Sequence, residues 1–210
     1  MAVLATLLTV LAALHVSSGD EHPFKVSTGP CLEVPNVDWT ESINAYLRRI
    51  PNNVTLPGIL ATSQGEFLDF GRCFIFGLGN LWPYKHYHSY CINKDTFIEV
   101  IAFAREPLAA EMEWRSCSGS TGLIGTKVSS SKLRLIFRAL PTSDDPTRVE
   151  LFKIYGDSLE NPWVYVTGAP KPLMPMISVV NTLLKPHIRE IWGLILGADA
   201  QALIRDHCNE

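Results

Sequence analysis

The period of the apolar residues changes twice along this chain, and those two changes limit the folds open to it. Asp38 and Glu41 have the spacing of a helix-start capping box, and Ile43, Tyr46, Leu47 and Ile50 then recur at helical intervals until Pro51. From Glu66 to about Gly156 the apolar residues alternate instead, in segments separated by turn residues. From Lys171 the helical period returns, with Ile177, Val180, Leu184, Ile188, Ile191, Trp192 and Ile195 along one stripe. The order predicted is a short helix, a series of antiparallel strands and a long C-terminal helix that Pro186 kinks.

Within the alternating region, Leu68, Phe70, Phe74, Phe76 and Leu78 are expected to share one face, with Gly71 and Gly77 as bend or bulge points. The segments KHYHSYCI and TFIEVIAFA follow, parted at Asn93, Lys94 and Asp95. Leu108, Ala110, Met112 and Trp114 then alternate against Glu111, Glu113 and Arg115 as a half-buried strand. Past a Ser and Gly turn, Leu133, Leu135 and Phe137 oppose Lys132, Arg134 and Arg138, and RVELFKIYG follows PTSDDPT. Residues 51 to 64 read as loop. The fold class expected is α+β: about six antiparallel strands in one strongly curved sheet, with the helices segregated against one face.

Ahead of this pattern, Ala2 to Val16 is almost wholly apolar and lacks Lys, Arg, Asp and Glu. It has the length of a secretory leader and is too short to cross a bilayer. Val16 and Ser18 are small residues suited to cleavage after Ser18, so residues 1–18 are expected to be a signal peptide and 19–210 a single secreted, extracellular domain. No Lys or Arg precedes the apolar run. A formal charge of −3, with both signs interspersed, argues against nucleic acid as a partner. Asn53-Val54-Thr55 is an N-x-S/T sequon, which makes Asn53 a candidate glycosylation site on an exposed loop.

The chain has five Cys, at positions 31, 73, 91, 117 and 208, and an exported protein is expected to pair four of them. None forms a C-x-x-C pair, which speaks against zinc ribbons and redox motifs. If Cys73 and Cys91 flank a hairpin turning near Trp82 and Pro83, they face each other and pair. Cys31 then joins Cys208, leaving Cys117 over, or joins Cys117.

Little points to catalysis. His86 and His88 could clamp a metal from one strand face, but no third ligand is assignable, and they read as surface histidines beside a turn. No G-x-S-x-G elbow occurs, and SGSTGLIGTK lacks the end of a phosphate loop. Asp144/Asp145 and Glu111/Glu113 read as solvated charge. What stands out is an excess of large apolar residues on two elements expected to face each other: Phe74, Phe76, Trp114 and Phe137 on strands, and the helical stripe. They form either a filled core or the walls of a binding gap.

The segments GEFLDFGRCFIFGLGNL, the hairpin run ending in AAEMEWRSC, KLRLIFRA, VELFKIYG and VVNTLLKPHIREIWGLILGADAQALI resemble the group 7 mite allergens over about residues 38 to 207. These allergens belong with the tubular lipid-binding proteins that include bactericidal/permeability-increasing protein and the juvenile-hormone-binding and takeout proteins. The marks are the G-x-F/L-x-D run before an apolar strand and Asn181 ahead of a Pro-bearing helix; the five Cys and the aromatic content depart from the allergens. The resemblance implies a curved sheet wrapped around the long helix, sheltering a lipid or small apolar molecule without cofactor, metal or turnover. On that expectation Phe74, Phe76, Met112, Trp114, Leu135, Phe137, Leu184, Ile188 and Trp192 line the cleft. The alternative is an interaction protein with a packed core that binds a host, microbial or membrane surface, with Leu173 and Met174 touching membrane or lipopolysaccharide.

Overall fold

The alternating segments do become strands, and they divide between two antiparallel sheets. The structure is a computed structural model describing residues 26–29, 31, 37–56, 68–84, 86–169, 178–179, 182–183, 187–200, 202, 204 and 208. A six-stranded sheet contains β1 (Val26–Thr28), β4 (Leu81–Pro83), β5 (His88–Ile92), β6 (Asp95–Ala104), β9 (Ser130–Ala139) and β10 (Val149–Glu160). Its order is β1-β5-β6-β9-β10, with β4 also pairing to β6. A five-stranded sheet has the order β11-β8-β7-β3-β2, from Trp163–Val166, Thr121–Val128, Leu108–Ser116, Leu68–Phe76 and Asn53–Leu56.

The chain repeatedly crosses between the sheets, and the crossings have local causes. Gly77, between β3 and β4, has a φ of +93°, and a Cβ there would meet the Pro107 carbonyl oxygen at 2.8 Å. Only glycine combines that left-handed backbone with so close an approach. Gly71 lies in the register shift between Phe70 and Cys73, so both glycines act as the bulge and bend their positions suggested. Asn93 and Lys94 form the two-residue turn from β5 to β6, both with positive φ. β8 and β9 are nearly continuous through Ser129, yet β8 pairs with β7 and β9 with β6 and β10.

The described helices are short. α1 spans Thr40–Arg49, and α2 spans Ile188–Leu194 and runs into a π-helical stretch, Ile195–Ala200. Leu133, Leu135 and Phe137 of β9 meet Ile98 and Val100 of β6, Leu151 and Ile154 of β10, Ile43 and Leu47 of α1, and Ile188, Trp192 and Leu196, all in one apolar cluster. Burying each such side chain contributes about 1.5–3 kcal/mol before conformational entropy is charged.

The expected α+β class, with about six strands in one curved sheet around a long C-terminal helix, is therefore corrected: the chain is mostly β, in two sheets with short helices. Two physical reasons account for the difference. Strands of three or four residues, such as β1, β2, β4 and β11, are too short to show a period. Alternation also reports which residues share a face and not which sheet a strand joins. Where one helix stripe packed under the sheet was expected from Lys171 onward, the described residues are helical at 178–179 and 182–183, with Val179 and Leu183 exposed, then in the seven-residue α2 with its π-helical continuation, and at 202, 204 and 208.

The disulfide pairing is corrected as well. Cys31 bonds to Cys91, with Cα atoms 5.1 Å apart, so neither Cys73–Cys91 nor Cys31–Cys208 or Cys31–Cys117 forms. The supposed hairpin does not exist: β3, which carries Cys73, lies in the five-stranded sheet, while β5, which carries Cys91, lies in the six-stranded one. β1 runs along β5 with Ser27 opposite Cys91, which brings the chain leading to Cys31 beside its partner.

Candidate functional site

The apolar face of α1 seals the cluster, and the two flanks of the helix carry different chemistry. Trp39, Ile43, Tyr46, Leu47 and Ile50 are buried. Thr40, Ile43 and Asn44 stack on one flank at helical spacing, and Ser42, Ala45, Tyr46 and Arg49 stack on the other. Each flank borders a hollow.

The first hollow, about 310 Å³, lies between α1 and the chain running from β4 to β6. Buried Ile43 and Val100 contribute its apolar lining, with Pro83, Tyr84, His86 and Tyr87 around them and Thr40 and Asn44 adding polar groups. Tyr87 packs its ring edge-on to Trp39 at 6.0 Å, and its hydroxyl donates to Asp38 Oδ1 at 3.2 Å. Asp38 Oδ1 also accepts from the Thr40 hydroxyl at 2.6 Å and the Thr40 amide at 3.0 Å. These Thr40 bonds, with help from Tyr87, hold the Asp38 carboxyl below the usual carboxylate range. Tyr84 is 52% exposed and stands perpendicular to Phe103 at 4.9 Å, while Trp82 tilts over Phe103 at 5.7 Å. An aromatic shelf therefore leads from the outer surface to this hollow.

The second hollow, about 520 Å³, lies between α1 and the loop joining β9 to β10. Ser42, Ala45, Tyr46 and Arg49 border it from the helix, and Thr142, Asp144, Asp145, Arg148 and Val149 from the loop side, with Cys208 completing it. The loop is internally braced. The Thr142 amide donates to the Asp145 carbonyl at 3.0 Å, and the Thr147 amide and hydroxyl both donate to Asp145 Oδ1, at 2.9 and 2.8 Å. Ser42 Oγ donates to Thr147 Oγ1 at 2.8 Å, which ties the loop to the helix. Tyr46 stacks edge-on against Phe137 at 5.2 Å. Its hydroxyl faces the Cys208 thiol without a hydrogen bond of normal geometry, and burial above all pushes its pKa well up. Burial raises the Cys208 thiol pKa in the same way.

The residues expected to line one cleft do not converge. Leu135, Phe137, Ile188 and Trp192 are wholly buried and fill the apolar cluster, where the Trp192 indole donates to Thr126 Oγ1 at 3.3 Å. Met112 and Trp114 are half-buried on the side of β7 that carries Leu108 and Ala110, and the Trp114 indole donates to the Thr167 carbonyl at 3.2 Å. Phe74 and Phe76 point to the opposite face of the five-stranded sheet, since buried Ile75 stands between them; Phe74 packs on Phe76 at 6.2 Å and under the Arg72 guanidinium at 5.4 Å. Packing beat the gap because the large side chains fill one another's space. Leu184, Leu173, Met174 and Asn181, like the apolar leader, lie outside the described residues.

Asn53 opens strand β2 where a loop was expected. It is exposed, as is Thr55, while Val54 between them is buried. His86 borders the aromatic hollow and His88 stacks on Tyr90 at 6.3 Å; among the described residues no group of three or more His, Cys, Asp and Glu is assembled that could hold a metal. Glu111 accepts a hydrogen bond from the Tyr165 hydroxyl and Glu113 pairs with Arg72 at 3.4 Å, so both carboxylates have structural partners. The outer face of the six-stranded sheet carries exposed Phe152, packed edge-on to Phe97 at 5.1 Å.

Sequence reasoning missed both hollows. The run Pro83-Tyr84-Lys85-His86-Tyr87 was an available aromatic signal, but nothing local shows that α1 covers it. Asp144 and Asp145 read as solvated charge and Arg148 as the start of a strand, because nothing local shows that Ser42 and Thr147 meet across 105 positions. No protein-family model matches this chain, and no curated protein matches it in sequence.

Proposed function

We propose that the protein is a secreted, non-enzymatic binding protein that takes up a small, largely apolar molecule in the aromatic hollow beside α1. The observation that carries this reading is the pairing of an apolar lining, Ile43 and Val100, with the rings of Tyr84 and Tyr87 and a few polar groups in about 310 Å³. That is the composition of a small-ligand site, at the small end of the size range. Burying about 150 Å² of ligand apolar surface is worth about 4 kcal/mol before ordering costs, so this term alone sets an affinity scale of about a millimolar, and the polar groups of the hollow must add to it. The resemblance to tubular lipid-binding proteins favours the same ligand class, although the binding place is no longer a cleft along a long helix. Export rests on the apolar leader and on the Cys31–Cys91 bridge, a bond at home in oxidising compartments.

The test is a titration of the purified full chain with 1-aminoanthracene, a fluorescent apolar ring system, alongside solvent extraction and mass spectrometry of the protein as isolated. Enhanced, saturable emission is expected, with affinity weakened about tenfold in Tyr84→Ala through the lost aromatic wall. No enhancement, or binding unchanged in Tyr84→Ala, overturns the reading.

A further inference from the structure

The charged hollow on the other flank of α1 is a site of a different kind. Arg49 and Arg148 border it, and neither guanidinium forms an ion pair with a carboxylate among the described residues. Asp144 and Asp145 border it too, so the formal charges balance among the described residues that line it. The loop that supplies three of these four groups is braced internally and tied to α1 through Ser42, so it needs no ordering on binding. Tyr46 is 5% exposed, and its buried hydroxyl has no hydrogen-bond partner among the described residues while the ring borders the hollow.

We propose that this hollow binds a small zwitterion, with an oxyanion held by Arg49 and Arg148 and an ammonium held by Asp144 and Asp145. Balanced lining charge is what separates this ligand from a plain anion. Two guanidiniums alone would select phosphate or a dicarboxylate, whereas the adjacent carboxylates repel a second negative charge and reward an ammonium. About 520 Å³ leaves room for the ligand with water around it. The site shares only the helix α1 with the aromatic hollow and does not depend on ligand uptake there.

The test is calorimetric titration of the full chain with glycerophosphoethanolamine, whose phosphodiester carries a single negative charge beside its ammonium, with inorganic phosphate and ethanolamine as separate titrants. Saturable binding of the zwitterion, at least tenfold tighter than either half, is expected. Arg148→Gln should weaken it about tenfold, and Asp144→Asn should remove the preference over inorganic phosphate; both side chains are exposed, so circular dichroism should stay native. Co-flotation with phosphatidylethanolamine vesicles, lost in Arg148→Gln, would identify a lipid headgroup as the source; binding of the soluble compound without flotation would identify a free metabolite. Absence of heat at millimolar glycerophosphoethanolamine overturns the proposal, as does phosphate binding of equal strength that Asp144→Asn leaves unchanged.

Discussion

The two flanks of α1 differ in the way they are built and not only in what they display. The aromatic flank leans on strands: Pro83 belongs to β4 and Val100 to β6, and the sheet itself fixes their positions. The charged flank leans on a loop and on Cys208, and its order depends on side-chain hydrogen bonds through Thr142, Asp145 and Thr147. One ten-residue helix serves both, because a period of 3.6 places Ser42 and Asn44 on opposite sides of the buried stripe. Chemistry can therefore change within two residues while the packing face stays the same.

The largest expected effect comes from the residue beneath the charged flank. Phe137→Ala removes a wholly buried ring and the edge-on support of Tyr46, and should cost about 3–5 kcal/mol in urea unfolding. At low temperature, where the variant stays folded, zwitterion binding should fall much more than 1-aminoanthracene uptake; equal losses would erase the distinction between the flanks. Next is the disulfide. Cys91→Ser opens a bridge across 60 positions that anchors β5, the strand following His86 and Tyr87, and should cost about 2–4 kcal/mol in the thermal or urea transition. Its effect on binding should fall on the aromatic flank.

The smallest effect is on pH dependence, where the flanks should move in opposite directions. Asp38, on the aromatic side, titrates below the usual range, so its contribution is present at neutral pH and is lost as pH falls through its folded pKa. Tyr46, on the charged side, titrates above an ordinary phenol. Its contribution is complete below the unfolded value and is lost as pH rises toward the folded one. Stability measured against pH should thus lose part of its acid limb in Asp38→Asn and part of its alkaline limb in Tyr46→Phe. A swap of these limbs, or no change in either, would break the comparison.

Much of the local structure was legible, and the reason is the range of the interactions involved. The burial alternation of β9, the helix ending before Pro51, the bulge at Gly71, the bend at Gly77 and the Asn93 turn all follow from steric and hydrophobic rules within a few residues, whereas β7, with Leu108, Ala109 and Ala110 buried in a row, shows no such alternation. The same rules placed Phe74 and Phe76 together on one face, but not on the face turned away from Ile75 and the core.

By itself, then, the amino-acid sequence determined where the longer strands and several turns form and which residues of β9 face inward. Only the tertiary structure decided that the strands divide between two sheets, that Cys31 bonds to Cys91, that Phe137 and Trp192 fill the interior, and that Asp145 and Arg148 come to border α1. The physical reason is the same in each case. A local period records a side chain's direction relative to its own backbone, whereas sheet membership, disulfide partners and hollows depend on which distant segment arrives opposite it, as Ser42 and Thr147 do across 105 positions.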